Sequence, residues 1–223
     1  MNNVMAVRGL TRTFKQGDYE VHAVNNVDLE IQKGDFVGII GASGSGKTTL
    51  LNMLGCIDRP TAGEMTVNGQ DISGANDARL SEIRRGEIGY IHQDFQLLPI
   101  LNAAENIIMP LLLDGQKPDR EEVKELAESL GIAERLTHLP AELSGGQQQR
   151  VAIARTLITH PSIILADEPT GNLDKATAED IMDLLVSLNR RGYTILMVTH
   201  NEDFAKRCTR LFRMTDGKLE KIA

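Results

Sequence analysis

The stretch from Asp35 to Thr49, "DFVGIIGASGSGKTT", constrains this chain more than any other. A short apolar run such as "DFVGII" suits a strand buried on both faces, as in a parallel sheet. It runs into "GASGSG" and then into an apolar-periodic segment that predicts a helix over 47–56. Strand, glycine-rich turn and helix in that order are the context required by the phosphate-loop pattern G-x-x-x-x-G-K-[ST]. Gly41, Gly44 and Gly46 let the backbone wrap around phosphates. Successive N–H groups then point inward, and the helix dipole adds to the attraction. Lys47 supplies a point charge for the β- and γ-phosphates, and Thr48 offers a hydroxyl to Mg²⁺.

The remaining pattern sets the fold class. "MAVRGL" and "YEVHAVNNVDLEI" read as strands joined by a turn at "KQGD". "GEMTVNGQDI" reads as a hairpin turning at Asn68-Gly69. "IGYIHQ" is a further apolar strand. Over 94–160 the pattern turns helical. Val123, Leu126, Ala127 and Leu130 share one face, with Gly131 just past the helix end. Strands and helices then alternate: "SIILAD", a helix over 175–191, "YTILMVTH", a short helix from Asn201, and terminal strands in "RLFRMTDGKLEKI". Helical crossovers between strands predict a mostly parallel sheet with helices on both faces. The expected architecture is a single α/β P-loop domain over 1–223. Its sheet core, with an N-terminal antiparallel β subdomain, spans 1–93 and 161–223, and a helical subdomain is inserted over 94–160.

Strand ends carry the candidate chemistry. "SIILADEPT" ends an apolar run in Asp167-Glu168, where α/β folds bind ligands. Asp167 is placed to hold Mg²⁺, and Glu168 to polarise an attacking water. "ILMVTH" ends similarly in His200. A lone histidine is most often structural, but beside a P-loop and a strand-end acid pair it becomes a candidate donor to the γ-phosphate. Gln93, at the end of "YIHQ", is either a metal or water contact or an ordinary loop amide.

"ELSGGQQQR" poses a separate question. Ser144 predicts a helix cap, and Gly145-Gly146 leave a bare helix N-terminus, which is a second anion site or simply a glycine-rich turn. One nucleotide has one γ-phosphate, already surrounded by the first loop. A two-fold pairing of chains would place each P-loop opposite the other chain's Ser-Gly-Gly, with two ATP molecules between the subunits.

Bulk properties exclude other classes. Aromatics are 4% and Trp is absent, which argues against a base-stacking surface, and a net charge of −7 argues against nucleic acid as a partner. Cys56 and Cys208 have no metal-ligand spacing and suit a reducing compartment. The N-terminus has no signal-peptide pattern, and "IIMPLLL" falls well short of the roughly 20 apolar residues that span a bilayer. Work at a membrane would require a partner.

The motifs together resemble a nucleotide-binding subunit of an ATP-binding-cassette transporter. The matching pieces are the Walker A loop "GASGSGKTT", the Q-loop in "YIHQD", the signature "LSGGQ", the Walker B strand "IILADE", the D-loop "GNLD" and the switch histidine in "VTH", in the family's order over 41–200. The resemblance implies ATP and Mg²⁺ as cofactors. Phe14 would stack on adenine, where Tyr is commoner. Gly44, Ser45, Gly46, Lys47, Thr48 and Thr49 would hold phosphates, and Thr48 with Gln93 the Mg²⁺. Glu168 would be the catalytic base and His200 the γ-phosphate contact. Ser144, Gly145, Gly146 and Gln147 would act on the nucleotide of the other subunit, with Asp174 at the subunit boundary. His92 replaces the Phe usual before the Q-loop glutamine.

"GCIDRPTAGE", "HQDFQLLPILNAAENIIMPL" and "ADEPTGNLD" further resemble the branch that includes the MacB and LolD ATPases. That implies a homodimer driving an integral membrane subunit from the cytoplasmic face of the inner membrane. The work would be export or mechanotransmission of lipoproteins, peptide antibiotics or drugs, the last linking the branch to antimicrobial resistance. An FtsE-like role, signalling to cell-wall hydrolases without solute transport, uses the same machinery. A soluble ATPase of DNA repair or translation would carry a long coiled coil or two cassettes. A GTPase would carry N-K-x-D, which is absent.

Overall fold

The computed structural model describes residues 3–17 and 19–223. Asp18, within the expected "KQGD" turn, lies outside them. Two sheets organise the chain. The first is antiparallel, in the order β2-β1-β4-β5, from β1 (Asn3–Gln16), β2 (Tyr19–Gln32), β4 (Ala62–Val67) and β5 (Gln70–Asp71). The second has six strands, in the order β10-β9-β3-β8-β7-β6. In it β3 (Phe36–Ile40), β6 (Ile88–Ile91), β7 (Ile163–Asp167), β8 (Ile195–Thr199) and β9 (Arg210–Thr215) run parallel, and β10 (Lys218–Lys221) returns antiparallel.

Strand alternation divides the core in two. Ile163, Leu165, Leu196 and Val198 point to one face, where they meet the antiparallel sheet and α1 (Lys47–Leu54). Ile164, Ala166, Ile195 and Met197 point to the other, where they meet α3 (Ala103–Leu113), α4 (Arg120–Ser129), α5 (Gly145–Leu157) and α6 (Lys175–Arg190). Burial on both faces explains why β3, β7 and β8 read as continuous apolar runs. Helix α5 belongs to this second core as much as α3 and α4 do. It lies against β6, with the Thr156 hydroxyl donating to the Tyr90 carbonyl at 3.1 Å.

The expected elements form, with differences at their margins. β1 extends well past "MAVRGL", through register shifts, and so carries Phe14 on a strand. Helix α2 (Asp77–Gly86) was not legible as apolar periodicity, because it buries only Ile83. Its start is set by Asn76, whose side chain accepts from the Arg79 amide at 2.9 Å. Helix α1 stops at Leu54, because Cys56 turns into the left-handed region at φ 54°. Asn68 and Gly69 both have positive φ, as a two-residue hairpin turn requires. α7 (Glu202–Ala205) follows Asn201 as its cap.

Candidate active site

The parallel strands deliver the candidate residues to one edge of the sheet. The P-loop spans the gap between β3 and α1. Gly44 and Gly46 adopt φ 79° and 105°, which a side chain would strain. A Cβ at Gly46 would also stand 2.0 Å from the Ala23 carbonyl oxygen, so β2 packs directly on the loop. Lys47 is buried, and its Nζ donates to the Gly41 and Ala42 carbonyls at 2.8 and 2.9 Å. The Ser45 hydroxyl is buried without a partner among the described residues. Thr49 is half-buried on the first turn of α1. A cavity of about 460 Å³ opens on residues 41–45, His200 and Arg213–Asp216.

Across from the loop stand the carboxylates. The Thr48 hydroxyl donates to Asp167 Oδ1 at 3.4 Å. Burial, reinforced by the neighbouring Glu168, pushes the Asp167 carboxyl above its ordinary value, against the pull of Thr48 and Lys47. A desolvated carboxylate beside a hydroxyl suits a hard divalent cation. No cluster of three or more His, Cys, Asp or Glu side chains capable of holding a metal occurs among the described residues. The donor set therefore fits Mg²⁺ completed by phosphate oxygens, the way Mg²⁺ is usually held beside nucleotides.

Glu168 sits in the left-handed region at φ 45°, a strained conformation for a residue with a side chain. Its Oε2 accepts from the His200 backbone N–H at 3.2 Å and stands 3.0 Å from Nδ1 of the same residue, an ion pair when the ring is protonated. Glu168 is largely buried while His200 is exposed, so Nε2 faces outward.

Gln93 lies beyond the end of β6, and its Nε2 donates to Asn172 Oδ1 at 3.1 Å. The next residues, Phe95 and Gln96, hold positive φ, and Arg155 of α5 donates to both carbonyls. His92 stacks on Tyr90 with centroids 4.2 Å apart. Burial first, then Arg155, holds its ring below the ordinary imidazole range, with Asp94 opposing. Phe14 is 41% exposed on β1. The Arg12 guanidinium covers one face of the ring, 4.6 Å from its centroid.

The second glycine-rich helix start is elsewhere. Ser144 Oγ accepts from the Gln147 amide at 3.3 Å, and Gln147 Oε1 accepts from the Ser144 amide at 2.9 Å, a reciprocal cap on α5. None of residues 144–147 lines the P-loop cavity. Asp174 caps α6 through the Ala176 and Thr177 amides, each at 3.1 Å. The structure thus brings together Lys47, Thr48, Asp167, Glu168 and His200; Gln93 follows β6, the strand paired with β7, Phe14 lies on β1, and residues 144–147 begin α5 outside the P-loop cavity.

Sequence reasoning did not find Asn172, Arg155, Asn106 or Gln149. Buried Gln149 reaches the Pro169 carbonyl at 2.7 Å and ties α5 to the turn after β7. Asn106 holds the loop before α3 at several points. It accepts from the Leu98 amide at 2.7 Å and donates to the Leu98, Leu101 and Asn102 carbonyls. An amide directly before the apolar run "IIMPLLL" was its available signal.

The family of ABC transporters matches residues 24–171, and the chain belongs to that family. It is 42% identical to a lipoprotein-releasing system ATP-binding protein LolD of Alcanivorax borkumensis, covering 100% of both chains. It is 43% identical to a macrolide export ATP-binding/permease protein MacB of Marinobacter nauticus, over 97% of this chain and 34% of that longer protein. A solved dimeric ATP-binding cassette in a post-hydrolysis state with ADP and phosphate superposes with a TM-score of 0.87, at 43% identity over 98% of this chain and 99% of that one.

Proposed function

We propose that the chain hydrolyses ATP as one of two copies that share nucleotides, and that this cycle drives a MacB- or LolD-like membrane subunit. The observation that carries the reading is His200 held against Glu168, by its backbone N–H and with Nδ1 3.0 Å from the same oxygen, at a strand end facing the P-loop, with Thr48 on Asp167 alongside. In this reading Gly44, Ser45, Gly46, Lys47, Thr48 and Thr49 hold the phosphates, with Lys47 leaving its loop carbonyls for the β- and γ-oxygens. Thr48, Gln93 and Asp167 would hold Mg²⁺, whose charge would offset that of the transferring phosphate. Glu168, aimed by His200, accepts the proton of the attacking water. Phe14 offers adenine the face that Arg12 leaves open.

Ser144, Gly145, Gly146 and Gln147 act on the partner copy's nucleotide, through amides at a helix N-terminus. Asp174 lies at the boundary between copies. We assign residues 94–160 as a helical arm of the single domain. The arm carries the exposed apolar side chains Leu98, Ile100, Leu112, Leu113 and Leu139. The backbone ties the start of α3 to the 136–138 segment through bonds from Ala103 to His138 and from Ala104 to Leu136, each at 2.9 Å. Such an apolar surface suits a membrane subunit's cytoplasmic loop. No helix among the described residues is long and apolar enough to cross a membrane, which suits peripheral attachment through that subunit.

The test uses Glu168→Gln, which keeps the shape and removes the base. With ATP and Mg²⁺ it should sediment as a dimer that does not turn over, and should co-purify from detergent-solubilised membranes with an integral subunit of few spans. A variant that hydrolyses ATP at the native rate would overturn the role of Glu168. A variant that stays monomeric at saturating ATP would overturn the shared sites.

A further inference from the structure

We propose that Asn172 is a positioning residue that turns the Gln93 carboxamide so that its oxygen, not its nitrogen, faces the metal. The inference rests on the reading above, in which Gln93 serves Mg²⁺. A carboxamide can present either end, because its two termini are nearly the same size but opposite in chemistry. Only the oxygen can ligate a hard cation. Something must therefore fix the orientation before the metal arrives.

The hydrogen bonds around Asn172 supply that constraint. Its Nδ2 donates to the Gln93 backbone carbonyl at 3.1 Å and to Asp94 Oδ1 at 3.0 Å. Both of those groups are acceptors only, so the Asn172 amide cannot be reversed without losing both bonds. Its Oδ1 is then committed to the other side, where it accepts from Gln93 Nε2 at 3.1 Å. One amide anchored by two acceptors fixes the polarity of the next, and Gln93 Oε1 has no hydrogen-bond partner among the described residues. The clearance is built in as well. A Cβ at Gly171 would stand 2.9 Å from Gln93 Nε2, so the residue before Asn172 leaves room for the carboxamide to lie against this turn.

The placement also ties metal readiness to the turn between Glu168 and α6. Asn172 follows the strained Glu168 and precedes Asp174, the cap of α6. Any shift of that turn moves the group holding Gln93. Metal-ligand orientation and the state of the proposed subunit boundary are coupled through this one side chain.

The experiment compares Asn172→Ala, Gln93→Ala and the double variant. One readout is the Mg²⁺ concentration giving half-maximal hydrolysis. The other is the affinity of Mn²⁺ for the protein–ATP complex in a Glu168→Gln background, followed by electron paramagnetic resonance. Asn172→Ala should weaken both metal responses by about 10-fold, the lower end for a group that orients a ligand. Binding of a fluorescent ATP analogue without divalent metal should not change. The double variant should be no weaker than Gln93→Ala alone, because the two act as one unit. Asn172→Asp keeps the acceptor for Nε2 and should fall between Asn172→Ala and the native protein, which guards against a folding defect in the alanine variant. A metal response unchanged in Asn172→Ala but weakened in Gln93→Ala would overturn the proposal and leave the reading of the site intact. No change in Gln93→Ala would overturn both, and additive losses in the double variant would overturn the coupling.

Discussion

At the start of α1 the glycines serve backbone shape, whereas at the start of α5 they serve clearance. Gly44 and Gly46 occupy left-handed conformations, and the loop they form is closed by Lys47 onto its own carbonyls. Gly145 and Gly146 have no such conformation. A Cβ at Gly146 would instead stand 2.4 Å from Thr177 Cγ2, and one at Gly145 3.2 Å from Leu173 Cδ2. The first site is surrounded by its own chain's acids and histidine. The second is a capped helix end pressed against α6, with no catalytic group beside it. Two similar strings of letters therefore shape the backbone differently: one bends a loop through left-handed glycines, and the other lets a helix end lie close against α6.

The largest expected effect tests the self-sufficiency of the first site. Lys47→Ala removes the cation that the loop stores on Gly41 and Ala42. Loss of one such charge-stabilising donor typically costs about 10²- to 10³-fold in rate, and we expect hydrolysis to fall at least that far. Near-native turnover in a phosphate-release assay would show that the cradle works without its lysine, and the contrast between the two helix starts would collapse.

Gly146→Ala comes next and tests the clearance argument. The added methyl collides with Thr177 Cγ2, and such overpacking costs roughly 1–3 kcal/mol. Adding Thr177→Ser removes the colliding methyl while keeping the hydroxyl that donates to Asp174. Stability measured by urea unfolding should drop in the single variant and recover in the double. Equal losses in both would mean that Gly146 is there for another reason. Ser144→Ala is smaller still. It removes one half of the α5 cap, worth about 1 kcal/mol, and should leave metal-free ATP binding to the monomer unchanged. A loss of that monomer affinity would move Ser144 into the same chain's own site.

The same contrast explains what the sequence made legible. "GASGSGKTT" could be read because its function lies in local backbone geometry, set by glycines next to one another and flanked by a strand and a helix. Asp167, Glu168 and His200 could be read because apolar strands of a parallel sheet end at a common edge. Asn172 and Arg155 could not, because their partners at Gln93, Phe95 and Gln96 are distant in sequence and are met only through packing. Helix α2 was hidden for a different reason: with Ile83 its only buried residue, it lacks the apolar stripe that marks a helix. Cys56 and Cys208, which have no metal-ligand spacing, are thiols that burial pushes up to about 11 and about 12.

The smallest effect concerns the cost of building the first site, a cost the second does not carry. Asp167 is desolvated, with Glu168 adjacent, so its carboxyl is raised above the ordinary value of 3.8. A carboxyl raised on folding stabilises the protein where it is protonated in both states, and that contribution is lost as pH rises past the ordinary value. At neutral pH the native protein therefore bears an ionised, partly buried carboxylate that Asp167→Asn would not. Without nucleotide or metal, Asp167→Asn should melt higher than the native protein at pH 7, and the difference should shrink as pH falls and the native carboxyl takes up its proton. With ATP and Mg²⁺ the order should reverse, because ligand stabilises only the chain that binds it. A scan in which Asp167→Asn melts lower at pH 7 without ligand would mean that Thr48 and Lys47 already compensate the charge, and that the first site is as relaxed in isolation as the second.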